Sequence, residues 1–151
     1  MGGSCGIAGT YSVYPAKTVG CYGDGGAVVT NDTKIADAIY ELRDHGRARN
    51  GGYNRWGINS RLDNIQAAIL LSKLKTLDGE ISRRRQIANK YINGLCDITD
   101  LTLPPGPNDN KDYFDTFQNF EIESGERDKL KKHLSNQGIG TIVQWGGKAV
   151  H

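Results

Sequence analysis

The sequence predicts an α/β fold in which a strand pair and amphipathic helices alternate. Three observations point to it. Two β-branched and aromatic runs bounded by glycine lie near the start, an apolar stripe at helical spacing runs through residues 65–95, and a strand, helix, strand pattern follows a proline-rich connector. The chain has 151 residues, which is one domain's worth at the usual ~100–200 and long enough to bury a core. Twenty residues are glycine, nearly double the ordinary share of about 7%, and no three-residue period accompanies them. Eight of them fall in residues 1–26, so the excess is local.

Ile7–Tyr14 and Gly26–Thr30 read as two strands joined by a glycine-rich loop. Asn31-Asp32-Thr33 supplies capping groups for a helix from Lys34 to Arg43, with Ile35, Ala38, Ile39 and Leu42 on one face. Residues 44–60 have no period and four glycines, the signature of a long irregular loop that is either functional or disordered. Past it, Ile65, Ile69, Leu70, Leu74, Leu77, Ile81, Ala88, Tyr91 and Leu95 step by threes and fours, which predicts a long helix with Gly79 as a candidate division. The Arg83-Arg84-Arg85 side is expected to face away from the core. Leu103–Asn110 carries three of the four prolines and reads as a connector. A strand at Thr116–Ile122, a helix at Glu126–Asn136 stopped by Gly138, and a strand at Ile139–Trp145 complete the pattern.

Composition excludes several function classes. Nineteen Lys+Arg against seventeen Asp+Glu give a net charge of +2, too small to imply a nucleic-acid or anionic-membrane partner. The longest aliphatic run, Ala67–Leu71, is far short of the ~20 residues a membrane helix needs. Cys5, Cys21 and Cys96 are odd in number and form no C-x-x-C pair, which fits free thiols in a reducing compartment and no metal site. These features predict a soluble, cytoplasmic protein without a membrane or nucleic-acid partner.

The chemistry is concentrated at Ser12-Val13-Tyr14-Pro15-Ala16-Lys17, where the first strand gives way to the glycine loop. A lysine presented into a cavity there can act as a neutral amine on an aldehyde. The Ser12 hydroxyl can donate to an anionic group of the same ligand, and the nearby glycines allow close backbone approach. By itself a lysine in a turn is more often a solvated surface residue. The loop matches neither G-x-G-x-x-G opening a helix nor the P-loop pattern.

Tyr11–Lys17 followed by Gly20–Asp32 resembles the cofactor-lysine segment of the DegT/DnrJ/StrS sugar aminotransferases, which use pyridoxal 5'-phosphate. The resemblance continues, in order and spacing, through Leu42–Gly46, Gly57–Asp63, Gln66–Leu70 and Arg83–Ala88. It implies a fold-type I (aspartate-aminotransferase-like) architecture. Residues 1–60 would then be the C-terminal part of the cofactor-binding large domain, 61–96 an interdomain helix or pair of helices, and 97–151 an incomplete small α/β domain. It further implies that Lys17 forms the internal aldimine and shuttles protons. Ser12 would hold the phosphate, and Asn59 would reach the phosphate of the neighbouring subunit's cofactor in a homodimer with shared active sites.

Some family members carry His at the position of Lys17 and act as dehydratases, so Lys17 implies transamination with glutamate as donor. Ile139–His151 looks like the subgroup that aminates 3-oxo-6-deoxy sugars linked to dTDP. This makes His45, Arg61, Trp145 and His151 candidate contacts for a nucleotide-linked keto sugar, although Trp145 reads equally well as a core or interface aromatic. Arg43, Arg47, Arg49, Arg55 and Arg61, set against Asp44, form a local positive field suited to a diphosphate. Family chains run to more than twice this length, and the aspartate that pairs with the pyridinium nitrogen precedes the cofactor lysine. No aspartate precedes Lys17 here, so the expectation is a C-terminal-side fragment that is inactive without its N-terminal half. The alternative is a non-catalytic or truncated relative with a structural or interaction role.

Overall fold

The structure, a computed structural model, describes residue 3 and residues 5–108 and 112–147. It divides into two compact units, Met1–Arg83 and Arg84–His151.

In the first unit, β1 (Ala8–Ser12) and β2 (Gly26–Thr30) form an antiparallel pair running from Ala8 opposite Thr30 to Ser12 opposite Gly26. The glycine-bounded runs thus form the expected hairpin. Asp32 closes the turn into α1 (Thr33–Leu42), its carboxylate accepting from the Lys34 and Ile35 amides at 2.8 and 3.3 Å. This satisfies two of the amides that a helix start leaves without partners, a contribution of about 1 kcal/mol.

Residues 44–60 are irregular but densely bonded. The amides of His45, Ile58 and Ser60 donate to the carbonyls of Ile58, Leu42 and Arg43 at 3.0, 2.8 and 2.8 Å. Gly46, at φ 85°, lets the chain turn back against residues 55–57, where a side chain would collide with the Arg55 carbonyl. These bonds order the loop.

Two helices follow, α2 (Asn64–Leu74) and α3 (Leu77–Leu95). The division lies at Lys75-Thr76, with the Thr76 hydroxyl donating to the Lys73 carbonyl at 3.2 Å, and Gly79 sits inside α3. Glycine costs a helix interior only about 1 kcal/mol, which the rest of a 19-residue helix readily outweighs.

The second unit differs more from expectation. Its strands are the two-residue β3 (Leu101–Thr102) and β4 (Glu123–Ser124), paired antiparallel, followed by α4 (Arg127–Asn136). Gly138, at φ 76°, ends that helix as expected. Thr116–Ile122 is not a strand. Phe117 sits at φ 50°, which no strand residue adopts. Ile139–Trp145 is not a strand either, and Gln144–Gly147 forms a short 3-10 turn with Trp145 at φ 52° and Gly146 at φ 65°.

Arg83 is exposed, in line with the expected outward face, but Arg84 and Arg85 are half-buried and point inward. The Arg84 guanidinium donates to the Gln118 carbonyl at 3.2 Å, and that of Arg85 to the carbonyls of Asp115 (2.7 Å) and Pro107. These arginines do the work that strand partners would otherwise do. Tyr91 of α3 stacks on Phe120 with centroids 5.0 Å apart, and Ala88 and Phe117 are buried.

Candidate functional site

The ladder ends at Ser12 opposite Gly26, and two more bonds carry the pairing one step further. The Val13 amide donates to the Gly25 carbonyl at 3.0 Å and the Cys21 amide to the Val13 carbonyl at 2.9 Å. Residues 14–20 form a loop rooted on that pair. Within it the Lys17 amide donates to the Tyr14 carbonyl at 2.9 Å, making a tight turn with Lys17 at its end. Gly20 is buried, and a Cβ there would lie 2.6 Å from the carbonyl oxygens of both Tyr14 and Pro15. Any other residue would push the loop apart.

Ser12 and Lys17 therefore share one end of the hairpin, and both are exposed. The Ser12 hydroxyl oxygen accepts from the Tyr14 amide at 3.4 Å, leaving its proton free to be donated. A primary amine and a hydroxyl separated by one turn suit a ligand that carries both a carbonyl and an anionic group. An open depression of about 650 Å³, lined by Gly3, Ile7, Val29 and Thr33 among others, lies at the Ala8–Thr30 end of the same hairpin and is not the Lys17 site.

His45, Asn59 and Arg61 gather at the C-terminal end of α1. Asn59 is bridged to Asp44 across an antiparallel contact, and Arg61 donates to the Asp44 carboxylate at 3.1 Å. His45 sits at φ 60° and its amide is held by Ile58. The arginine field is weaker than expected. Asp37, Glu41 and Asp44 lie along one face of α1 and its end, and they pair with Arg49 (3.8 Å), Arg55 (2.6 Å) and both Arg47 (4.0 Å) and Arg61. Arg43 and Arg49 also flank the Tyr40 ring at 5.0 and 4.0 Å. The hydroxyl of Tyr53 and then the Asp44 charge hold the Arg47 guanidinium above its ordinary pKa.

Asp37 and Glu41 lie on α1, outside the loop, so the loop's own residues do not reveal them. Their spacing of four on a helix was the available signal. Trp145 belongs to the second unit and is exposed. His151 lies outside the described residues. Among the described residues no cluster of His, Cys, Asp and Glu could hold a metal, and no helix is long and apolar enough to cross a membrane. Cys5, Cys21 and Cys96 are free thiols.

The family model of DegT/DnrJ/EryC1/StrS aminotransferases matches residues 1–151. The dTDP-3-amino-3,4,6-trideoxy-alpha-D-glucose transaminase of Streptomyces venezuelae is 37% identical over 135 residues, 89% of this chain and 35% of that protein. Among solved structures, a DegT DnrJ EryC1 StrS aminotransferase from Brucella abortus is similar at a TM-score of 0.80 and 42% identity, covering 93% of this chain and 36% of that one. NtdA from Bacillus subtilis, solved with bound cofactor PMP, is similar at a TM-score of 0.80 and 27% identity, covering 95% and 34%. The chain thus spans a little over a third of the length of the relatives it matches. All of residues 1–151 fall within one family model, and the chain belongs to the DegT/DnrJ/EryC1/StrS aminotransferase family.

Proposed function

We propose that this chain is the cofactor-lysine portion of a pyridoxal 5'-phosphate-dependent transaminase that moves an amino group from glutamate to a dTDP-linked 3-oxo-6-deoxy sugar. The observation that carries it is the pairing of Lys17 and Ser12 at one end of the hairpin, in a chain whose relatives are sugar aminotransferases. When bound, the cofactor supplies the electron sink that the group transfer needs.

The Lys17 amine would hold the cofactor through its aldehyde carbon, with loss of water, and would move a proton between the substrate carbon and that cofactor carbon. Ser12 donates its hydroxyl proton to the phosphate. Asn59 serves the phosphate of a neighbouring subunit's cofactor, which makes the working unit a homodimer. Arg61 and His45 are the first unit's contacts for the sugar nucleotide, and Trp145 and His151 are candidates for the same ligand from the resemblance alone. Because Asp44 already neutralises Arg61, a diphosphate must compete with that carboxylate.

The roles of residues 1–60 as large domain, 61–96 as interdomain helices and 97–151 as small domain belong to the same proposal, as does the inactivity of this stretch by itself.

The test is to incubate the full chain with pyridoxal phosphate, reduce with borohydride and map the modified lysine. Selective labelling of Lys17, lost in Lys17→Ala, is expected. Labelling spread evenly over Lys34, Lys75 and Lys90 would sink the assignment. For the substrate, the intact enzyme with glutamate should aminate dTDP-3-oxo sugars, and amination of 4-oxo sugars alone would refute that part.

A further inference from the structure

The side chains that hold the Lys17 loop from outside come from α2. Gln66 and Lys73 are seven residues apart, two helical turns, and so share a face. The Gln66 side-chain oxygen accepts from the Tyr22 amide at 2.8 Å. The Lys73 ammonium donates to the Gly20 carbonyl at 2.5 Å and lies 5.1 Å from the centre of the Tyr22 ring. Gly23 makes room for the approach, since a Cβ there would sit 2.8 Å from the Gln66 side-chain nitrogen. Between the two grips Cys21 is fully buried, its thiol bonded to the carbonyls of Val13 (3.0 Å) and Gly23 (3.1 Å).

These contacts run mechanically to Lys17. Gly20 lies packed against the Tyr14 and Pro15 carbonyls, and Tyr14 accepts the bond that closes the Lys17 turn. Fixing the Gly20 carbonyl therefore fixes the base on which that turn stands. A charged donor on a carbonyl is about twice as strong as a neutral one, and two grips on one rigid helix face leave residues 20–22 little freedom to slide. We propose that Gln66 and Lys73 are positioning residues that set the Lys17 turn through the Gly20–Tyr22 segment. Its bearing on catalysis rests on the assignment of Lys17 as the cofactor lysine.

The experiment reads amide hydrogen exchange in the full chain without cofactor, for Lys73→Met, Lys73→Arg, Gln66→Leu and Gln66→Glu. Lys73→Met and Gln66→Leu should speed exchange at Lys17 and Cys21 by about five-fold or more, the scale of one lost hydrogen bond, while α1 and the β1–β2 ladder keep their protection. Lys73→Arg and Gln66→Glu, which retain a charged donor and an oxygen acceptor, should restore it. Unchanged exchange at Lys17 in both disruptive variants overturns the proposal. So does a uniform rise across α1 and the ladder in both, because the pair would then be a general structural tie.

A second readout is the rate of pyridoxal phosphate labelling at Lys17 relative to Lys34 in the same sample. It should fall by a similar factor in Lys73→Met and recover in Lys73→Arg, and an unchanged ratio counts against positioning. If Lys17 fails to label even in the unsubstituted chain, the cofactor assignment fails. The exchange data still decide whether the clamp exists.

Discussion

Gly46 and Gly57 pack backbone against backbone at the end of α1, so closely that a Cβ on Gly57 would collide with the Gly46 amide nitrogen and lie 2.7 Å from the Leu42 carbonyl oxygen. This contact lets the loop at 44–60 fold back on the helix that precedes it. It also holds His45 and Asn59 at the same end of that helix.

The first prediction follows from that packing. Gly46→Ala and Gly57→Ala should each destabilise the chain by about 2 kcal/mol or more, since backbone cannot yield as a flexible side chain does. Gly51, at φ 88° with open space around it, is the control. Gly51→Ala should cost only the roughly 1 kcal/mol of a left-handed conformation. Denaturant unfolding compares them, and equal losses at all three sites would show that close approach is not what Gly57 provides.

Gly79 gives a prediction of opposite sign. It lies inside α3 and a Cβ there would touch nothing. Gly79→Ala should therefore stabilise the chain by about 0.5–1 kcal/mol through helix propensity. A loss on substitution would mean that α3 bends or divides there after all, as the sequence alone suggested.

How much was legible follows from where each element's partners lie. The hairpin and α1 could be read because their signals are local: glycine bounds the strands, and Asp32 caps the helix two residues before the amide it binds. The placing of Ser12 and Lys17 at one end of that hairpin was legible for the same reason. Thr116–Ile122 has a strand's composition, but its carbonyls are taken by Arg84, some thirty residues away, and composition carries no record of that. The anchoring of the Lys17 loop by Gln66 and Lys73 spans more than forty residues and was equally invisible. The acids that temper the arginine loop come from a neighbouring element. The loop's own composition therefore overstates its charge.

That neutralisation is testable at Glu41. Its carboxylate is largely buried, pairs with Arg55 at 2.6 Å and accepts from the Asn54 side-chain amide at 2.8 Å. A double-mutant cycle with Glu41→Gln and Arg55→Met should give a coupling of about 1–2 kcal/mol, above the usual 0–1 of an exposed pair. Strict additivity would show that Arg55 is free to serve an external anion.

The last prediction concerns Arg85, which holds the second unit's irregular segment to α3. Its guanidinium reaches the carbonyls of Pro107 and Asp115, both more than twenty residues away in sequence, and lies 4.4 Å from the Phe114 ring centre. A planar fork can serve both carbonyls and the ring at once, whereas an ammonium offers one compact point of charge. Arg85→Lys should therefore lose most of what Arg85→Met loses, about 1.5–3 kcal/mol for a charged hydrogen-bond donor. The loss should appear first as faster proteolysis and amide exchange in residues 112–120, because Arg85 binds that segment's Asp115 carbonyl and lies over its Phe114 ring. The β1–β2 hairpin should stay protected. If lysine restores full protection, charge rather than fork geometry organises the segment; if exchange rises equally in the hairpin, Arg85 supports the whole chain rather than this unit.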